Sequence, residues 1–199
     1  MNGLATGSNS SRASGMIFMD VRPAGVFLVL IFLIGIVLGV LVGYYYIISS
    51  EQKAVSVNGN SCYIEPVIIP GDKYKIVDQI DSAQESIYME MYTLTDEDVI
   101  GSLISAKERG VDVKVILDNG QEYNKDAYIT LGGSGVSVEW SDPQFKITHS
   151  KLMIIDNETV VLGSPNFTHS GLNVYREVGL ITNCTVEPYL DVFFQDWKE

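Results

Sequence analysis

The sequence predicts an α/β layered domain preceded by one transmembrane helix. Three observations carry this prediction. From residue 61 to the end, apolar runs of strand length alternate with segments of helical period. The short runs are crowded with β-branched residues, which suit a pleated surface. From Ala24 to Ile48 there is no charged residue at all. The chain therefore divides into a tail over 1–22, a transmembrane helix over 23–48, a linker over 49–60 and a globular domain over 61–199.

The tail, rich in Ser, Gly and Asn, lacks the apolar content to fold and is expected to be disordered. The apolar stretch after it, built as a helix, is about 37 Å long, enough to cross a hydrocarbon core of about 30 Å with some tilt. Pro23 suits the first turn, and Tyr44, Tyr45 and Tyr46 suit an interfacial belt at the far end. A cleaved signal peptide would carry a shorter apolar region and a small-residue cleavage site, which YYYIISS does not offer. Gly35, Gly39 and Gly43 recur every four residues, so they share a face on which two such helices could pack. Arg12 and Arg22 precede the span and Lys53 follows it. The positive-inside rule then puts the N-terminus in the cytoplasm and the domain outside.

Within the domain, CYIEPVII reads as a strand. GDKYKIVDQIDSAQ reads as a helix with Ile76, Val77, Ile80 and Ala83 on one face. SIYMEMYTL is a strand. Thr95, with Asp98 three residues on, opens a helix that Gly110 stops. VDVKVILD is a strand, NKDAYITL a short helix ending at Gly132-Gly133, and VSVEW a strand. THSKLMII, TVVL and EVGLIT complete the strands, and EPYLDVFFQDWKE is a closing helix with Phe193, Phe194 and Trp197 for packing.

The chain carries a net charge of −12, and everything upstream of Glu51 contributes +1, so the remainder carries −13. Such a surface argues against avid non-specific nucleic-acid binding, which needs clustered Lys and Arg. Two cysteines and two histidines have no zinc spacing, so neither a metal nor a cofactor is expected. Cys62 and Cys184 flank the domain and could pair if it lies in an oxidising compartment. N-x-Thr sequons begin at Asn157, Asn166 and Asn183, and the second is a by-product of the motif described next.

His149, Lys151, Asp156, Gly163, Ser164 and Asn166 are spaced H-x-K-x4-D-x6-G-S-x-N. These residue types suit attack on an anionic phosphodiester. Such a site must neutralise the phosphate, supply a nucleophile and protonate the leaving oxygen. An imidazole does the last two near neutral pH. His149 and Lys151, two apart in an expected strand, would share a face. Ser164 and Asn166 follow the apolar run Thr159–Leu162 in a turn from which hydroxyl and amide can donate to phosphate oxygens. Gly163 is expected to allow close backbone approach to the phosphate. Asp156, at a strand end, suits a structural hydrogen bond or ion pair as well as a direct role. His169 lies outside the pattern and is expected in a loop.

This spacing resembles the signature of the phospholipase D superfamily, and the likeness extends over nearly all of 61–199. SIYMEMYTLTDEDVIGSLISAKERGVDVKVILD matches the N-terminal half of such domains in style and order. The compact single-motif members are most similar in architecture: bacterial phospholipase-D-type endonucleases and the mitochondrial cardiolipin hydrolase/Zucchini group. The resemblance implies a mixed β-sheet flanked by helices and a metal-independent phosphodiester hydrolase that forms a phosphohistidine. It implies a homodimer, because one motif supplies half a site. His149 of one subunit would be the nucleophile and that of the other the general acid. Lys151 and Asn166 would hold the phosphate with Ser164 in support, and Glu177 would bond the histidine ring. Relatives often carry Asn two residues before that glutamate, where this chain has Tyr175. The substrate is expected to be a phospholipid or a nucleic acid. A catalytically silent membrane scaffold is the alternative from another class.

Overall fold

The computed structural model describes residues 23–49, 55–57 and 60–197. The expected disordered tail, with Arg12 and Arg22, lies outside the described residues, as does Lys53. The chain forms two compact units, residues 1–51 and 52–199.

Among the described residues the first unit holds one helix, α1 (Pro23–Ser49), 27 residues long, which starts and ends within a residue or so of the predicted span. Among the residues whose side chains are described, no helix is long and apolar enough to cross a membrane. Of α1, the continuous stretch so described is 31–44. Gly35, Gly39 and Gly43 each have nothing within 4 Å of an added Cβ.

The second unit opens with a two-stranded antiparallel ribbon, β1 (Val55–Val57) and β2 (Asn60–Cys62), where a plain linker was expected. Cys62 is joined by a disulfide to Cys184, with Cα atoms 4.9 Å apart.

The rest follows the predicted alternation: β3 (Ile64–Ile69), α2 (Lys73–Ser82), β4 (Ser86–Met91), α3 (Glu97–Glu108), β5 (Asp112–Leu117), α4 (Asn124–Gly133) and β6 (Ser137–Trp140). Then come β7 (Lys151–Ile155), β8 (Thr159–Gly163), α5 (His169–Asn173), β9 (Glu177–Thr182) and α6 (Glu187–Asp196). The seven strands β3 to β9 form one mixed sheet in the order β3-β9-β8-β7-β4-β5-β6. β4, β5 and β6 run parallel and are joined by helices. β7, β8, β9 and β3 pair antiparallel.

Hydrophobic periodicity explains the layers. Ile76, Val77 and Ile80 of α2, Val99, Leu103 and Ala106 of α3, and Ala127 and Leu131 of α4 are buried in one core with the facing strand residues. On the other face, α6 brings Phe193 against Tyr88, Ile116, Leu152, Ile154 and Val160. Alternation along each strand sends successive residues to the two cores.

Three local expectations shift. The N-cap of α3 is Asp96 rather than Thr95, its carboxylate accepting from the Val99 amide. α5 was not foreseen: Thr168 caps it by accepting from the Gly171 amide, which makes His169 its first residue rather than a loop residue. His149 precedes β7 instead of lying within it.

Candidate active site

The register sets one row of residues across the whole sheet. Val67, Gly179 and Gly163 are level on one side, and Lys151, Met91, Leu117 and Trp140 on the other. The halves join through the Leu152–Leu162 pair, one residue deeper. Just beyond that row, at one sheet edge, lie His149, Ser164, Glu177, Tyr92 and Asp118. Five strand ends thus converge on one strip, the kind of crevice outside the carboxyl ends of parallel strands that binds ligands in open α/β sheets.

His149 is exposed, and its ring packs on Tyr92 with centroids 4.4 Å apart. Lys151 lies over the same ring, Nζ 4.8 Å from its centroid, and donates to the His149 carbonyl at 3.0 Å. Imidazole and ammonium therefore meet on one aromatic platform, although only Lys151 belongs to the strand. The Tyr92 hydroxyl accepts from Gln121 Nε2 at 2.7 Å, which fixes the platform. Burial lowers the Lys151 pKa from its ordinary value, while Glu177 and Asp118 act to raise it.

Asp118 is buried and accepts from the amides of Thr148 at 2.6 Å and Gly120 at 3.0 Å. It pins the segment that leads into His149. Sequence reasoning missed both Tyr92 and Asp118. Each directly follows a strand and belongs to no spaced motif; only the pairing register brings them to the site.

Asn166 reaches this edge by a crossover. The chain leaves β8 at Gly163, and Phe167 then bridges Leu94 beyond the end of β4. β7 lies between β8 and β4, so residues 164–166 must pass the start of β7, where Lys151 sits. Asn166 Oδ1 is buried without a hydrogen-bond partner, while the amide nitrogen of the same side chain is the end that can donate to an anion. The Ser164 hydroxyl donates to Glu177 and accepts from the Val178 amide at 3.2 Å. Among the described residues Glu177 is thus bonded to Ser164, not to the imidazole the resemblance implied.

Asp156 is not brought to this edge. It follows the other end of β7, about 17 Å along the strand from Lys151. Its carboxylate accepts from the amides of Gln84, Glu85 and Ser86 at 2.7–3.2 Å. Burial acts to raise its pKa, yet those donors hold it below the usual value. Of the two roles open to it, the contacts fit the structural one. Packing gives Gly163 a further reason to lack a side chain, because its close neighbour is backbone. An added Cβ would lie 2.5 Å from Gly179 Cα.

The family model for "Cardiolipin synthase, PLD-like domain" matches residues 76–197. The chain belongs to the phospholipase D superfamily. Members of this superfamily cleave or transfer phosphodiesters. A phospholipase D of Rickettsia prowazekii is 36% identical over 129 residues, covering 63% of this chain and 58% of the relative, so the chain spans little more than half of that protein. A phospholipase D of Rickettsia typhi is 32% identical over 158 residues, covering 69% and 74%. Among solved structures, the phospholipase D family member Nuc from Salmonella typhimurium superposes with a TM-score of 0.64 at 30% identity. That match covers 68% of this chain and 94% of Nuc. Within this superfamily domain, an open cleft of about 740 Å³ lies along the ends of β5 and β6. Asn119, Gln121, Lys125, Trp140 and Ser141 line it.

Proposed function

We propose that this protein is a membrane-anchored phosphodiesterase that works through a phosphohistidine at a site shared by two copies. The observation that carries the reading is the convergence of His149, Lys151, Ser164, Asn166 and Glu177 on one sheet edge in a phospholipase D superfamily domain. An imidazole nitrogen of His149 attacks phosphorus and the bond to the leaving oxygen breaks. His149 of the partner subunit protonates that oxygen. It then takes a proton from water, which attacks phosphorus and releases His149. Lys151 offsets the phosphate charge and the Asn166 amide donates to its oxygens, so no divalent ion is needed. Ser164 and Glu177 brace one wall of the site.

One motif per chain supports the shared site, because the reaction needs a nucleophile and an acid at one phosphorus. An apolar patch beside Glu177 offers the contact: Ile64 and Ile68 of β3 and Val178 of β9 are 40–59% exposed on the sheet face that α6 leaves open. An isologous pair would bring two copies together there. The uncharged helix α1 supports the anchor. The Cys62–Cys184 disulfide supports an extracytoplasmic domain, since such bonds persist in oxidising compartments.

The test is subunit mixing with a soluble phosphodiester. His149→Ala should lose at least about 10³-fold in turnover. Heterodimers with wild type should be severely impaired, and wild-type activity should survive EDTA. Substantial activity in homogeneous His149→Ala protein, or full activity as a monomer, would defeat the reading.

A further inference from the structure

The groups that place the catalytic side chains are themselves held by one buried amide. Asn124, the first residue of α4, is fully buried. An Asn at a helix start ordinarily caps that helix, but this side chain bonds outside α4. Its Nδ2 donates to the Tyr92 carbonyl at 2.9 Å and to the Asp118 carbonyl at 3.0 Å. Its Oδ1 accepts from the Leu94 amide at 2.9 Å. Tyr92 and Asp118 directly follow the parallel strands β4 and β5, so one side chain ties the two strand ends together.

Each of these three backbone groups stands beside a part of the site. Tyr92 is the platform on which His149 and Lys151 meet. Its amide donates at 2.9 Å to the carbonyl of Ser150, the residue between those two. Asp118 accepts from the Thr148 amide, one residue before His149. Leu94 bridges Phe167, one residue after Asn166, and the Phe167 carbonyl accepts from the amides of Thr95 and Asp96. Asn124 is therefore linked through backbone to the imidazole, the ammonium and the amide of the site, with no hydrogen bond to any of the three among the described residues. Any buried amide with three such bonds stabilises a fold. Where these bonds end gives this one a second role. A reacting group must stand within about 0.5 Å of its productive place, and the groups behind it keep it there.

We propose that Asn124 is a positioning residue for the phosphodiester reaction. It holds Tyr92, Asp118 and Leu94 in one frame, and through them sets His149 and Lys151 against Asn166. The inference rests on the phosphodiesterase reading and adds to it a residue outside the spaced motif.

The experiment uses the full chain with isotope-labelled histidine rings, read by nuclear magnetic resonance. The chain has two histidines, so His169→Gln assigns the His149 signal. In wild type the ring current of Tyr92 displaces that signal, and Tyr92→Leu should remove the displacement. Asn124→Ala and Asn124→Asp are compared with wild type and with Asp156→Ala, which weakens the domain at the far end of β7. The Asp variant keeps the size and the acceptor for Leu94 but has no N–H for either carbonyl. Turnover of bis(p-nitrophenyl) phosphate per folded molecule should fall about 100-fold in both Asn124 variants, the scale of loss when a reacting group moves by roughly 1 Å. Their His149 signal should move toward its position in Tyr92→Leu. Asp156→Ala should melt lower yet keep the wild-type signal and turnover. Folded Asn124 variants with wild-type turnover, or with lost turnover and an unmoved His149 signal, overturn the proposal. Failure of both variants to fold overturns it too, because Asn124 would then serve stability alone. If wild type hydrolyses no phosphodiester while Asn124→Asp still moves the His149 signal, the phosphodiesterase reading fails and the hold of Asn124 on the imidazole stands.

Discussion

Asp156 and Glu90 show that a carboxylate's place in the sheet decides its role. Asp156 sits at positive φ, 52°, and gathers three backbone amides that precede or open β4. Asp156→Ala should destabilise the domain by about 1–3 kcal/mol, as loss of charged hydrogen bonds does. Activity per folded molecule should persist, since the residue stands far from His149. The folded pKa is depressed, so the carboxylate's contribution is present above its unfolded pKa and disappears as pH falls through the folded one. The gap between wild type and variant in denaturant unfolding should close accordingly in acid. Glu90 runs the other way. It is 1% exposed on the α6 face, and burial pushes its carboxyl up, the Ser150 hydroxyl opposing and Asp196 adding to the rise. The neutral form suits the fold, so its benefit is present below the unfolded pKa and lost as pH rises through the folded one. Glu90→Gln should therefore be more stable than wild type at pH 8, with the advantage shrinking toward about pH 4. A Gln variant less stable at pH 8 would contradict this.

At the scale of elements, the β8–β9 contact determines where Ser164 and Glu177 meet. Gly163 and Gly179 face each other in the register. A Cβ on Gly163 would fall 2.5 Å from Gly179 Cα and 2.7 Å from the Val178 carbonyl, and one on Gly179 would fall 2.9 Å from the Leu162 carbonyl. These neighbours are backbone and cannot swing aside. Gly163→Ala should lower stability by about 1–3 kcal/mol or more through strand displacement. It should also reduce activity, because the strands it separates carry the hydroxyl and the carboxylate. A thermal melt and a soluble-diester assay on the same sample check both. An Ala variant with wild-type melting and turnover would show that the strands part at no cost.

For the whole molecule, the two compact units are read as anchor and catalyst, and their topology is testable. If the domain lies outside, protease added to intact cells should cut after Ser49. Cys62 and Cys184 in protein from those cells should then resist alkylation until reduced. Full protection from protease, with both thiols alkylated without reductant, would place the domain in a reducing compartment and reverse the orientation.

The alternation of elements and the core-facing residues of α2 were legible in the sequence, because hydrophobic period and capping are local signals. So was the motif, whose chemistry is written in residue types at fixed spacing. Local signals misled at Thr95, where a neighbouring Asp96 caps instead, and at His169, where a one-turn helix is too short to leave a period. They could not show that Tyr92 and Asp118 join the site, nor that Asp156 lies about 17 Å along β7 from its motif partner. Strand order and register decide those placements. They bring five strand ends to one edge and send Asp156 to the other, and pairing between strands distant in sequence leaves no trace in the spacing of any one of them.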